Sequence, residues 1–272
     1  MIARALTSLA FLAGGGCSAP AGPAAQEDDV ARIERASYTV PGRPGLKVSY
    51  LRAGDRDGRR VIFVHGTPGQ ADGWADFLLN VPAGQEYVAI DRPGFGATVP
   101  DSAEPSLQLQ ALAIAPLLER RGGGWPILVG HSLGGPIVAR VAVDQPGRVA
   151  ALLLLAGSLA PALERVHPMQ PVGEWWGVRS ILPRRLLNAN RELLPLKREL
   201  DMLAPRLSEI SVPVTIIHGD ADTLVPVANV AFMRGRLTGA EALKVAILPG
   251  QGHFLPWEHR PTLERALAAL PR

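Results

Sequence analysis

One cysteine in 272 residues, Cys17, leaves no second thiol, so no internal disulfide can form. The chain also lacks the Cys/His spacing of a zinc site, the Gly-rich loop with lysine that cradles phosphate, and the acidic loop of an EF-hand. Neither sign of charge dominates. Lys and Arg number 28 against 25 Asp and Glu, and the arginines are scattered. That balance excludes the basic stripe of a nucleic-acid-binding surface. No internal repeat is present, which excludes a solenoid. What is abundant is apolar residues, 47% of the chain with 19% charged. Such a composition suits one sizeable α/β domain, or a domain with an inserted subdomain.

The lone cysteine has a telling place. Arg4 opens a short positive region, Leu6 to Ala13 is apolar, and Gly14 to Gly16 lead directly to Cys17. The apolar run is too short to span a bilayer and reads as an export signal over residues 1–16. A cysteine directly after such a run resembles a bacterial lipoprotein signal, which implies lipidation of Cys17 and a membrane anchor facing the periplasm or cell surface. Gly14 stands where leucine is usual in that pattern. The alternative is an ordinary signal cleaved near Ala19-Pro20-Ala21 or Ala24-Ala25, giving a periplasmic or secreted protein. Residues 17–32, rich in Ala, Pro, Gln and acids, read as a flexible tether.

From residue 33 the chain alternates short apolar runs with helical patterns. Leu46 to Leu51 alternates like a half-buried strand, paired antiparallel with residues near Tyr38. The runs 61–64, 87–90, 127–129, 152–155, 214–217 and 245–248 are continuously apolar, as in strands buried on both faces. Helices are expected over 105–120, 133–144, 227–237 and 261–270, the second stopped by Pro146 and Gly147. Strands alternating with helices predict a mostly parallel, doubly wound sheet. Residues 158–211 break the rhythm and read as an inserted helical cap, between core segments 33–157 and 212–272.

Residues just after each run would meet at one edge of a parallel sheet. They are His65-Gly66-Thr67-Pro68-Gly69, Asp91 to Gly96, Gly130-His131-Ser132-Leu133-Gly134, Gly219 to Asp222, and Gly250 to His253. The G-x-S-x-G pentapeptide between a strand and a helix forces a serine outward on a sharp turn. With Ser, Asp and His following in that order, the chain resembles the α/β-hydrolase superfamily over nearly all its exported part. It is most similar to the subgroup with a helical cap, which includes esterases, prolyl aminopeptidases, C–C bond hydrolases and cofactor-free haloperoxidases.

The resemblance implies a role for each residue. Ser132 is the nucleophile, placed at a helix N-terminus that favours developing negative charge. His253 is its general base, with His259 as the rival. Asp222 orients the imidazole, preferred by motif position over Asp220; Gly157 and Ser158 offer no carboxylate at the other strand end some relatives use. The backbone N–H groups of Leu133 and Thr67 form the oxyanion hole, because Pro68 has none. The Thr67 hydroxyl is either a further donor or packing. His65 shapes that loop, His131 is structural, Asp91 and Arg92 form a structural turn, and His167 and His218 have core or surface roles. Trp74, Trp175, Trp176 and Phe254 are candidates for an apolar substrate pocket, the tryptophan pair foremost.

The implied reaction is hydrolysis of a small-molecule carboxylic ester through an acyl-enzyme, with no metal, no organic cofactor and no nucleic-acid partner. A serine nucleophile argues against haloalkane dehalogenase or epoxide hydrolase chemistry, which needs a carboxylate there. The loop His65 to Gly69 is similar to that of prolyl aminopeptidases, so amide hydrolysis is the enzymatic alternative. A binding protein that kept the fold without the chemistry is the non-catalytic one.

Overall fold

The computed structural model describes residues 33–166 and 170–270. The expected export signal, Cys17, the tether and His167 lie outside the described residues. Eight strands form one sheet: β1 (Glu34–Val40), β2 (Arg43–Gly54), β3 (Arg59–Val64), β4 (Gln85–Ile90), β5 (Ile127–His131), β6 (Ala151–Leu155), β7 (Val214–Gly219) and β8 (Leu243–Leu248). Their order across the sheet is β1-β2-β4-β3-β5-β6-β7-β8. β2 runs antiparallel to both β1 and β4, while β4, β3 and β5 to β8 are mutually parallel. The helices are α1 (Ala75–Leu78), α2 (Leu107–Ile114), α3 (Gly134–Asp144), α4 (Trp176–Arg179), α5 (Arg184–Leu193), α6 (Leu196–Leu203), α7 (Ala228–Arg236), α8 (Leu255–Glu258) and α9 (Arg260–Ala268).

The apolar runs form a central sheet because each has two faces to bury. In β3, Ile62 and Val64 enter a core shared with α2, α3, α6 and α7. Val61 and Phe63 enter the opposite core with α1, α8 and α9. Layers of helix on both faces hide the strands from water, as a parallel sheet requires. β8 differs from the other runs. As the last strand it is paired on one side only, and its residues are half-buried or exposed, with Ile247 exposed. Leu243 and Val245 still pack against one core and Ala246 and Leu248 against the other, so the apolar continuity reflects two partly covered faces at an edge.

Three of the four expected helices form within two residues of each end of the expected span. The span 105–120 is a shorter α2, with Ser106 Oγ accepting from the Leu109 N–H at its start and a 3₁₀ turn over Ala115–Leu117. Between β6 and β7 the described residues hold α4, α5, α6 and 3₁₀ turns, and no strand. Leu196, Leu200 and Leu203 of α6, with Leu207 and Ile210, pack into the same core as α3. No helix among the described residues is long and apolar enough to cross a membrane.

Candidate active site

Ser132 is the turn between β5 and α3, with φ of 54°. Left-handed backbone is unusual for a residue bearing a Cβ and marks a held, strained turn. Three hydrogen bonds hold it: Ser132 N–H donates to the Leu155 carbonyl at 3.0 Å, and the Ser132 carbonyl accepts from Gly135 at 2.9 Å and Ser158 at 3.3 Å. Absent side chains let the turn nest against its neighbours. A Cβ on Gly134 would lie 2.2 Å from the Val64 carbonyl oxygen of β3. A Cβ on Gly66 would lie 2.7 Å from Ser132 Cβ, so the loop after β3 reaches the serine only because Gly66 is glycine.

That loop carries Thr67, beside Gly66, and the helix start carries Leu133. The structure therefore brings both expected oxyanion donors to the neighbourhood of Ser132. Thr67 Oγ1 is buried and has no hydrogen-bond partner. An unmet buried hydroxyl next to Gly66 is free to meet a bound group.

Asp222 and His253 meet from the ends of β7 and β8, with His253 Nδ1 donating to Asp222 Oδ2 at 2.7 Å. The other carboxylate oxygen accepts from Leu224 N–H at 2.9 Å and Val225 N–H at 2.8 Å. Burial works to raise the Asp222 pKa. The hydrogen bond and charge of His253, with the two backbone donors, outweigh it and hold the carboxyl below its ordinary value. Asp220 has a different task, accepting from the Gly250 N–H at 2.6 Å at the start of the loop that carries His253. His259 is half-buried at the start of α9 and bonds to Gln251.

Three buried histidines stand as neutral struts, His131 and His218 against this pair and His65 in the loop after β3. His131 Nε2 donates to the His253 carbonyl at 2.9 Å, and its ring lies 4.8 Å from the His253 ring. Burial and the neighbouring His253 push the His131 pKa down to about 3, against the carbonyl that favours its proton. His218 is fully buried, donates from Nε2 to the Val225 carbonyl at 2.8 Å, and stands 3.6 Å from Asp222. Burial lowers its pKa as well. His65 Nδ1 donates to the Gly66 carbonyl at 2.7 Å while Nε2 accepts from the Arg92 N–H at 3.1 Å. Burial, then the Arg92 charge, holds it well below the ordinary histidine value.

Of the expected pocket residues, Trp74 is corrected. It is 1% exposed and packs on Phe63 and Phe77 in the core, because a ring next to α1 faces the apolar side of β3. Phe254 is partly exposed, with its ring edge-on to His253 at 5.7 Å. Trp175 and Trp176 are corrected as well: they stand in solvent at the start of α4, a short helix that buries none of its residues. An unforeseen aromatic, Trp257, lies 5.2 Å edge-on to His131 and anchors through Nε1 to the Gly73 carbonyl at 2.7 Å.

The Asp91–Arg92 turn is structural, and more than a turn. Asp91 accepts from Ala71 N–H, Ala97 N–H and Arg35. Arg92 is wholly buried, donating to Gln110 at 2.6 Å and to the Gly66 carbonyl at 2.9 Å. It is paired to Glu192 of α5. Its only sequence signal was a fixed charge between a strand and a Pro-Gly turn; the acid that answers it lies far away in the insertion.

Residues 59–201 match the alpha/beta hydrolase fold family. The chain belongs to that family. An acetyltransferase component of an acetoin-cleaving system from Cupriavidus necator is 34% identical to this α/β-hydrolase over 137 residues, 50% of this chain and 35% of that protein. The chain thus spans little more than a third of that relative's length. A non-heme chloroperoxidase from Streptomyces lividans is 28% identical over 76% of this chain and 90% of its own. Among solved structures, a membrane phospholipase A superposes with a TM-score of 0.65 at 22% identity, covering 98% of this α/β-hydrolase and 94% of that chain. Likeness at that identity speaks for the shared fold.

Proposed function

We propose that this α/β-hydrolase cleaves a carboxylic ester through an acyl-enzyme. Ser132 Oγ attacks the ester carbonyl and passes its proton to His253 Nε2. Asp222 keeps the imidazole proton on Nδ1 and stabilises the imidazolium that forms. The tetrahedral oxygen is held by the N–H groups of Leu133 and Thr67. His253 then protonates the departing alkoxide, and a water activated by the same imidazole hydrolyses the acyl-serine. The observation that carries this reading is the buried 2.7 Å Asp222–His253 pair, at the sheet edge where Ser132 is held in its left-handed turn.

Ester is favoured over the amino terminus of a peptide by how the acids of the insertion are used. Glu192 binds Arg92, Glu174 binds Arg191, Asp201 binds Lys197, Glu209 binds Arg206 and Glu199 accepts from the Leu107 N–H. Glu164 accepts from the Ser158 hydroxyl, and burial raises its pKa toward the neutral form. Each has a partner already, so a substrate ammonium would have to displace one. Short p-nitrophenyl esters and a fluorophosphonate probe test the reading. Turnover and labelling that both vanish in Ser132→Ala are expected; absence of both in the parent overturns it. Faster release from proline amides than from esters would transfer the reading to amide hydrolysis.

We also propose export with Cys17 as the lipidated first residue. Mass spectrometry of the mature N-terminus tests it, and an unmodified start beyond Cys17 overturns it.

A further inference from the structure

The three most exposed large apolar side chains among the described residues are Trp176 at 82%, Ile181 at 80% and Trp175 at 66%. All three fall within seven consecutive positions of the insertion, in and after α4. Single exposed apolar residues are ordinary on a protein surface, whereas a local concentration of this kind marks a contact site. Tryptophan is also costly to leave in water and is suited to a boundary with one apolar and one wet side.

The charge around these side chains has a positive excess. From Trp175 to Arg191 there are four arginines and no acid. Arg191 is neutralised by Glu174, and Arg184 reaches Asp101 at 3.4 Å with both side chains largely in solvent. Arg179 and Arg185 are exposed and have no acidic partner among the described residues. Gly177, Ser180 and Pro183 between them are exposed too, so the whole stretch is outer surface.

Exposed indoles and an isoleucine interleaved with unpaired arginines are the composition of a surface that lies in the headgroup region of a bilayer. We propose that residues 175–185 dock on an anionic lipid surface. Trp175, Trp176 and Ile181 enter the boundary between headgroups and acyl chains, and Arg179 and Arg185 meet the headgroup charge. The positive charge is what selects a lipid surface over an apolar protein groove, which would leave two guanidinium groups unanswered.

The anchoring of α5 sets the orientation. Asn188, one turn beyond Arg184 and Arg185, donates to the carbonyls of Gly94 and Asp101, both at 2.7 Å. Those carbonyls belong to the loop that leaves the C-terminal end of β4. The patch therefore stands at the end of the molecule that carries Ser132 and His253. Docking is independent of the ester reading, since it needs neither residue.

The test uses the full chain with Cys17→Ser in every arm, so that no acyl chain on that residue contributes. Co-sedimentation with dioleoylphosphatidylglycerol vesicles is expected, weakening as salt rises, with poor binding to dioleoylphosphatidylcholine vesicles. Trp175→Ser with Trp176→Ser should weaken partition to the anionic vesicles about thirtyfold. Arg179→Gln with Arg185→Gln should weaken it about twentyfold and leave the zwitterionic arm unchanged. Unchanged thermal unfolding midpoints check the fold of both variants, and quenching of the parent's tryptophan emission by brominated phosphatidylglycerol needs no variant. Three results would overturn the proposal. They are no sedimentation of the parent with anionic vesicles, full retention in the tryptophan variant, or lipid-free dimerisation abolished by that variant, which would make the face a contact between copies.

Discussion

Arg92 and Glu192 are joined across a hundred residues of sequence by a bidentate ion pair, Nη1 to Oε1 at 2.7 Å and Nη2 to Oε2 at 3.0 Å, with both side chains buried. The same guanidinium donates to the Gly66 carbonyl, next to Thr67. One side chain thus ties a helix of the insertion to the loop that faces the serine. Arg92→Met should cost roughly 3–5 kcal/mol, because Glu192 is left charged and buried with only the Gln110 amide to meet it. The double variant Arg92→Met with Glu192→Met should recover much of that loss. Urea denaturation of the two singles and the double measures it. Activity should stay low in the double, since the Gly66 carbonyl keeps only its bond from His65 and has lost the one that tied it to the insertion.

Asp222 and Asp220 separate cleanly by substitution. Asp222→Asn should lower kcat by about 10⁴ with the fold intact, since an amide leaves the imidazole in the wrong tautomer. Asp220→Asn removes only the charge that caps the Gly250 N–H and should lower kcat by less than about tenfold. Steady-state hydrolysis of a p-nitrophenyl ester decides. Equal losses would refute the assignment.

Thr67 offers a test without a change of shape. Its hydroxyl is buried and unmatched, on the residue after the glycine that meets Ser132. If it donates to the tetrahedral oxygen, Thr67→Val should reduce kcat by roughly 10² with little change in KM. Gly66→Ala is harsher. The added carbon meets Ser132 at 2.7 Å, so fluorophosphonate labelling should be nearly lost although the circular dichroism spectrum persists.

The buried histidines fix the sign of the acid response. His131 has a folded-state pKa of about 3, below the ordinary value, so below about pH 6.5 the unfolded chain binds a proton that the folded chain refuses. Stability is fully present above that range and falls as the pH drops toward 3, by about 1.4 kcal/mol per pH unit for this group. His65 and His218 act in the same direction. Denaturation between pH 6.5 and 5 should show the slope, and His131→Gln should remove one histidine's share of it. An unchanged slope would mean that His131 is not held neutral.

Much of this was legible in the sequence because strand burial and strand-end chemistry are local signals. Val61 to Val64 announces a strand covered on both faces, and the Ser132 turn announces itself by glycines and context. The Asp222–His253 contact was legible as an ordered pair of strand ends. What stayed hidden is set by partners distant in sequence. Trp74 reads equally well as pocket or core until its neighbours are known. Glu192 looks like any surface acid of an amphipathic helix, and nothing near it in the chain names Arg92. His131 is next to the serine in sequence, yet its partner is the His253 backbone, which only the β5 register brings beneath it.

The strand order has a consequence for the timing of activity. The loop after β3, the serine after β5, Asp222 after β7 and His253 after β8 are side by side only in the finished sheet. No fragment that ends before β8 holds the proposed general base, and no early hairpin holds the proposed nucleophile with its partner. On the proposed roles, Ser132 is translated long before His253 and stays without its base until β8 has joined the sheet. The onset of ester hydrolysis would then report that the sheet is complete.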